Sequence, residues 1–129
     1  MCDRASLRSE CGPYVTDRFA LERVRRTVND VFAEVDLLIT PTTPMPPITI
    51  EEASKMPIPP PPCEVWLRNT RPFNGYGLPT ISIPCGFTNA GLPIGLQIAG
   101  PRFGEGRVLA FAHALEQVTD WHKRDPLIH

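Results

Sequence analysis

No stretch of this 129-residue chain approaches the roughly 20 consecutive apolar residues that a membrane-crossing helix requires. A membrane partner is therefore not expected. Neither sign of charge is in excess, since 13 Lys and Arg against 14 Asp and Glu leave a formal net charge of -1. A nucleic-acid or anionic-membrane binder would show a basic surplus, so nucleic acid is not expected either. The first residues, Met1 to Glu10, carry charges but no apolar h-region. No secretory leader is read there, and a cytoplasmic location is the default. The four cysteines, Cys2, Cys11, Cys63 and Cys85, form no C-x-x-C pair and have no His-x-x-x-His nearby. That disfavours zinc and reads them as buried or idle thiols. Neither G-x-x-x-x-G-K-[ST] nor G-x-G-x-x-G occurs, and the stretch Gly100 to Gly106, GPRFGEG, has the wrong spacing to cradle a phosphate. No cofactor and no metal are expected.

What the chain does have is the composition of a soluble globular domain, with 42% hydrophobic and 21% charged residues. Its length would bury roughly two thirds of the unfolded surface. Residues 1–16 show no periodicity and read as a loose lead-in. From Asp17 to Thr40 the pattern is a helix and then a strand. Leu21, Val24, Val28, Val31, Phe32 and Val35 recur at helical spacing. Arg23, Arg25 and Arg26 read as the solvated side of that helix. The run Asp36 to Thr42, DLLITPT, suits a buried strand stopped by proline, and Asp36 itself reads as a local cap or pair.

Proline is the outlier, with 16 residues against about one in twenty in average usage. More than half of them fall between residues 41 and 63. Proline fixes φ and lacks an N–H, so neither helix nor central strand can run through this stretch. It reads as a long extended loop with one helical turn around Glu51–Lys55. Pro41-Thr-Thr-Pro44 also fits P-x-x-P, so an interaction module docking through this loop is the alternative. Residues 64–126 complete the chain. Glu64 to Arg71 form one or two helical turns ending near Pro72. TISIPCGF and IGLQIAGP then alternate as strands around a short Asn/Gly loop, which is the pattern of an antiparallel hairpin. Glu105 to Thr119 is a helix with Val108, Leu109, Ala112, Leu115 and Val118 on its apolar side.

No catalytic centre is visible in these residues. Ser82 sits inside an alternating strand with no G-x-S-x-G around it, and Ser54 lies in the proline loop. Cys85 with His113 is a conceivable dyad, but a cysteine after a proline in a strand reads better as a small buried hydrophobe.

Three motifs in order carry a resemblance: Asn74-Gly-Tyr-Gly-Leu-Pro79, Ile83-Pro-Cys-Gly86 and Leu92-Pro-Ile-Gly-Leu-Gln97. With VDLLITPTTP before them, they resemble the C-terminal part of amidase signature family enzymes, from about Leu21 to Pro126. The resemblance implies an α/β fold, a mixed β-sheet flanked by helices, here with a long proline-rich loop, in one fragment of a single amidase domain. It also implies amide-bond hydrolysis by a Ser–Ser–Lys centre that lies in segments upstream of these motifs. The only lysines, Lys55 and Lys123, are not near a G-G-S-S sequence. No catalytic residue is therefore assigned here, and the chain alone is expected to be inactive.

In the family the segment through Asn74 passes beside the substrate pocket. Leu67, Arg71 and Asn74 share a face at i, i+4 and i+7, and are the candidate substrate-binding residues for a small-molecule amide. In the tRNA-linked amidotransferase branch an acid usually stands where Leu67 is, so the leucine favours a stand-alone amidase. An accessory subunit completing a separate catalytic half is a further alternative. The partners implied are the missing N-terminal half and, through an open strand edge, a second copy of the chain.

Overall fold

The strongest local signal, alternation on either side of an Asn/Gly loop, forms the hairpin it predicts. Strands β2 (Thr80–Phe87) and β3 (Pro93–Ala99) pair antiparallel in the computed structural model, which describes residues 4–56 and 66–124. The connection is closed by Thr88, whose N–H donates to the Leu92 carbonyl at 2.8 Å and whose hydroxyl accepts from the Leu92 N–H at 3.1 Å. Gly91 supplies the positive φ of 77° that this turn needs. Strand β1 (Leu38–Pro41) adds to the other side of β3, giving the order β1-β3-β2. All three described strands are antiparallel.

Register decides what each face carries. Ile39, Ile98 and Ile81 stand in one row across the sheet, and Leu96 pairs with Ile83 beside them. Helix α4 (Glu105–Val118) packs here through Val108 and Ala112, which with Ile83 and Ile98 form the buried core. Ile98 is fully buried. Leu37, Ile81, Leu96 and Leu115 close over this cluster. The turn into α4 is tight, because a Cβ on Gly100 would stand 2.7 Å from Val108 Cγ2. The expected helix and its start at Gly104 or Glu105 are therefore found, but Leu109 and Val118 on its apolar stripe are exposed.

Helix α1 (Arg4–Thr27) begins well before Asp17, so the lead-in expected over residues 1–16 is helical from Arg4. Pro13 lies inside it and removes one ladder hydrogen bond without ending it. The helix stops at Thr27, and Val28–Ala33 continue as a 3₁₀ turn. The expected stripe is only partly covered: Leu21, Val28 and Phe32 are half-buried, while Val24, Val31 and Val35 are exposed. Arg25 is not on a solvated face, since its Nε donates to the Gly75 carbonyl at 2.8 Å and its Nη1 pairs with Glu22 at 3.1 Å. Asp36 makes no local cap; it faces Arg107 at 3.5 Å, an exposed pair across the chain.

Within the proline loop, helix α2 (Ile50–Ser54) forms as expected, started by a capping box. Glu52 N–H donates to Thr49 Oγ1, and the Glu52 carboxylate accepts from Thr49 N–H at 2.8 Å. That bond holds the Glu52 carboxyl below its ordinary pKa, so the cap contributes above the ordinary carboxylate range and weakens as pH falls through the lowered value. The proline run 59–62, residues 1–3, 64–65 and 125–129, and Cys2 and Cys63 lie outside the described residues. Pro72 begins a helix instead of ending one: α3 (Arg71–Tyr76) carries it in its first turn, where its missing N–H has no partner to lose.

Apolar surface is left uncovered along α1 and α4, including Phe19 (73% exposed), Tyr14, Val15, Leu109 and Val118. Surface of this kind drives association. The isolated chain should therefore sediment as a concentration-dependent mixture of monomer and larger species. A single monomeric boundary at all concentrations would refute this expectation.

Candidate functional site

The sheet face opposite α4 is polar along one line. Thr40, Gln97 and Ser82 are register partners across β1, β3 and β2. Gln97 interrupts an otherwise apolar strand and is buried at 3% exposure. A buried amide must be bonded to be tolerated, and this one is. Its Nε2 donates to the Asn69 carbonyl at 2.8 Å and to Thr40 Oγ1 at 3.2 Å. Asn69 answers in the other direction, its Nδ2 donating to the Pro41 carbonyl at 2.8 Å. Together these bonds clasp the turn before α3 onto strands β1 and β3.

A second clasp lies beside it. The hydroxyls of Thr42, just after β1, and Ser82 on β2 meet at 2.5 Å across β3. They reach over Gly95, where an added Cβ would stand 2.7 Å from Thr42 Oγ1 and 3.0 Å from Ser82 Oγ. Thr42 N–H also donates to the Gly95 carbonyl at 2.8 Å. The first residues of the proline loop are thereby fixed over the sheet. Thr43 to Pro47 border a depression of about 170 Å³ with Thr88, Ile94 and Gly95.

The segment between the clasp and β2 is held at both ends. Thr70 N–H donates to the Leu67 carbonyl and Asn74 N–H to that of Thr70, so a tight turn leads into α3. Gly77, at φ 71°, ends the helix with its N–H on the Phe73 carbonyl at 3.0 Å. Arg25 ties down Gly75, and Leu78 is buried. Of the residues expected to line a pocket, Leu67 precedes the turn, Arg71 opens α3 and Asn74 lies within it; all three are exposed. No hydrogen bond links any two of them. The residues that hold this segment, Asn69 and Gln97, were missed by sequence reasoning. A lone amide inside IGLQIAG was the available signal.

Among the described residues no nucleophile is hydrogen-bonded to a base. Ser82 has a hydroxyl partner and no base. Lys55 pairs with Glu51 and Lys123 with Asp120, each at 2.6 Å, and the latter pair lowers the Asp120 pKa. Cys85 is half-buried at the bulge of β2, His113 is exposed on α4, and no hydrogen bond joins them. Among the described residues no group of three or more His, Cys, Asp or Glu could hold a metal ion, and no helix is long and apolar enough to cross a membrane. A larger open depression of about 770 Å³ lies at the hairpin tip, where Arg124 covers the Phe87 and Trp121 rings at 5.0 and 5.4 Å.

Comparison with known proteins identifies the family. Residues 5–109 match the family profile described as Amidase. The chain is 43% identical over 107 residues to a glutamyl-tRNA(Gln) amidotransferase subunit of Geobacillus thermodenitrificans, covering 81% of this chain and 21% of that protein. It is 46% identical over 105 residues to the subunit of the same name from Bacillus licheniformis, covering 80% and 20%. The crystal structure of that subunit from Thermotoga maritima superposes with a TM-score of 0.51 at 32% identity, covering 81% of this chain and 24% of the other. The chain thus spans about a fifth of the length of the curated relatives it matches. With the profile covering most of its length, the chain belongs to the amidase family.

Proposed function

We propose that this chain is the C-terminal part of an amide-bond hydrolase, supplying one wall of the substrate pocket and the sheet that supports it. The observation that carries this reading is the clasped segment 66–78. An exposed stretch bearing Leu67, Arg71 and Asn74 is fixed to the sheet through a buried amide, while no nucleophile beside a base occurs among the described residues. Acyl transfer needs an activated nucleophile and donors for the developing oxyanion. In this reading both come from the Ser–Ser–Lys segments of the same amidase domain, upstream of these residues, and the substrate is a small amide.

A second reading is supported by the names of the relatives, which are subunits of a tRNA-linked amidotransferase. On that reading the domain releases ammonia from an amide for a partner subunit. The near-neutral charge gives this segment no basic footprint, so any tRNA contact would fall to other parts of the assembly. Leucine at position 67, in place of an acid, weighs for the stand-alone hydrolase.

The test joins the chain to the upstream amidase segments and assays a panel of aliphatic and aromatic amides beside glutamine. The joined protein should hydrolyse simple amides, and the chain alone should hydrolyse none. Arg71→Ala should change the ranking of substrates while shifting stability by no more than about 0.5 kcal/mol, as for an exposed side chain. Glutamine as the one good substrate would favour the amidotransferase reading. Turnover by the chain alone, abolished by Cys85→Ala, would overturn both.

A further inference from the structure

Gln97 makes no hydrogen bond to Leu67, Arg71 or Asn74, yet it is the one buried polar side chain among the described residues, and it bonds segment 66–78 at Asn69. We propose that Gln97 is a positioning residue: through Asn69 it sets where Leu67, Arg71 and Asn74 stand relative to the sheet. This rests on the reading of segment 66–78 as pocket wall.

The argument is one of bond direction. The Asn69 carbonyl and Thr40 Oγ1 both face Nε2, and the carbonyl can only accept. The side chain must therefore donate, which an amide does and a carboxylate does not. Asn69 returns a bond to the Pro41 carbonyl, so the turn cannot slide along β1 without breaking both. Beyond the turn, two further side chains tether the segment from outside: Arg25 holds Gly75, and the Thr80 hydroxyl donates to the Leu78 carbonyl at 3.2 Å. Leu67 and Arg71 lie on either side of the clasped residue, so the clasp fixes them and the arginine fixes the far end of α3. The clasp is also shielded, because an amide at 3% exposure exchanges its partners with water only when the segment lifts.

The bond direction gives the test a signature that packing alone would not produce. In Gln97→Glu the shape is kept, but at neutral pH the introduced carboxylate faces a carbonyl oxygen. Protonation restores an O–H donor, and burial raises the pH at which this happens. Hydrogen exchange of the whole chain, corrected for the intrinsic rate at each pH, reads the amides of Asn74, Gly77 and Leu78, which donate within the segment. Their protection should fall at neutral pH in Gln97→Glu and return on acidification. In Gln97→Leu it should fall at every pH. The β2–β3 amides should keep theirs in both variants. Unchanged protection of Asn74 to Leu78, or an equal loss in segment and hairpin, would overturn the proposal.

A second arm uses the joined enzyme with its best amide. Gln97→Glu should raise KM about tenfold at neutral pH, the ratio one lost hydrogen bond supports, with kcat within about twofold. An inactive wild-type joined enzyme would overturn the hydrolase reading, and the exchange result would still decide the clasp. Normal KM and kcat with a loosened segment would show that the segment is not the wall, and the positioning role would fall.

Discussion

Replacing Ile98 with alanine should lower the unfolding free energy by about 3–4 kcal/mol, near the upper part of the range for buried aliphatic truncations. Ile98 is the one large side chain, among the described residues, that is fully buried. It stands one residue from the end of the central strand β3, with Ile39 and Ile81 as register partners and Val108 and Ala112 in the same core cluster. Truncation leaves a gap where β3 packs against its neighbouring strands and helix α4. The neighbours cannot follow, since Ile39 and Ile81 belong to backbones fixed by the ladder. Ile98→Val should cost only about 0.5–1.5 kcal/mol. Urea titrations at one fixed protein concentration measure both, with the slope unchanged if only stability has moved. A loss under about 1 kcal/mol for Ile98→Ala would show that the packed centre lies elsewhere.

The second large effect should come from adding a single methyl group. Glycine within a strand is ordinarily a weakness, and alanine in its place would help. At Gly95 the sign reverses. The new Cβ would overlap Thr42 Oγ1 at 2.7 Å and crowd Ser82 Oγ at 3.0 Å. Either the two hydroxyls part or β1 moves away from β3, and Thr42 N–H then loses the Gly95 carbonyl as well. Gly95→Ala should destabilise by about 1–3 kcal/mol, the usual cost of overfilling a packed position. Thr42→Ala alone should cost about 1 kcal/mol for its hydrogen bond. Because the two changes share one contact, the double variant should lose clearly less than the sum. Additive losses would mean that the glycine serves something other than the passage of the hydroxyls.

These two sites also mark where sequence reasoning works. Alternation in TISIPCGF and IGLQIAGP is enough to give β2, β3 and their antiparallel pairing. Helical spacing gives α4 and its buried Val108 and Ala112. The motifs give the family. Local rules are weaker where two outcomes share one residue type. Proline both ends helices and opens them, so Pro72 reads as the end of a helix that it in fact begins. Residues 4–16 lack a stripe, and a helix without one leaves no periodic trace.

What stays illegible is long range. The Arg25 bond to Gly75 joins residues 50 positions apart, and nothing near Arg25 distinguishes it from Arg23 or Arg26. The clasp needs the pairing of β1 with β3, which brings Thr40 to Gln97; hairpin register can be read from the sequence, but this pairing cannot. Similarly, the exposed half of the 21–35 stripe shows that spacing alone tells which residues share a face, not what covers them.

The pairing of β1 with β3 has a consequence in time. During synthesis β1 leaves the ribosome about fifty residues before β3, a delay of roughly 3–10 s at ordinary elongation rates. Throughout that interval the edge of β1 that β3 will take is open. Much of what emerges directly behind it is proline, which has no amide hydrogen to offer a neighbouring strand. The nascent chain therefore supplies few wrong partners nearby. Once the hairpin closes, within about 1–10 μs of its emergence, β3 presents the edge that β1 has been waiting for. The loop thus acts as a quiet interval between two halves of one sheet, protecting an early strand until its late partner is made.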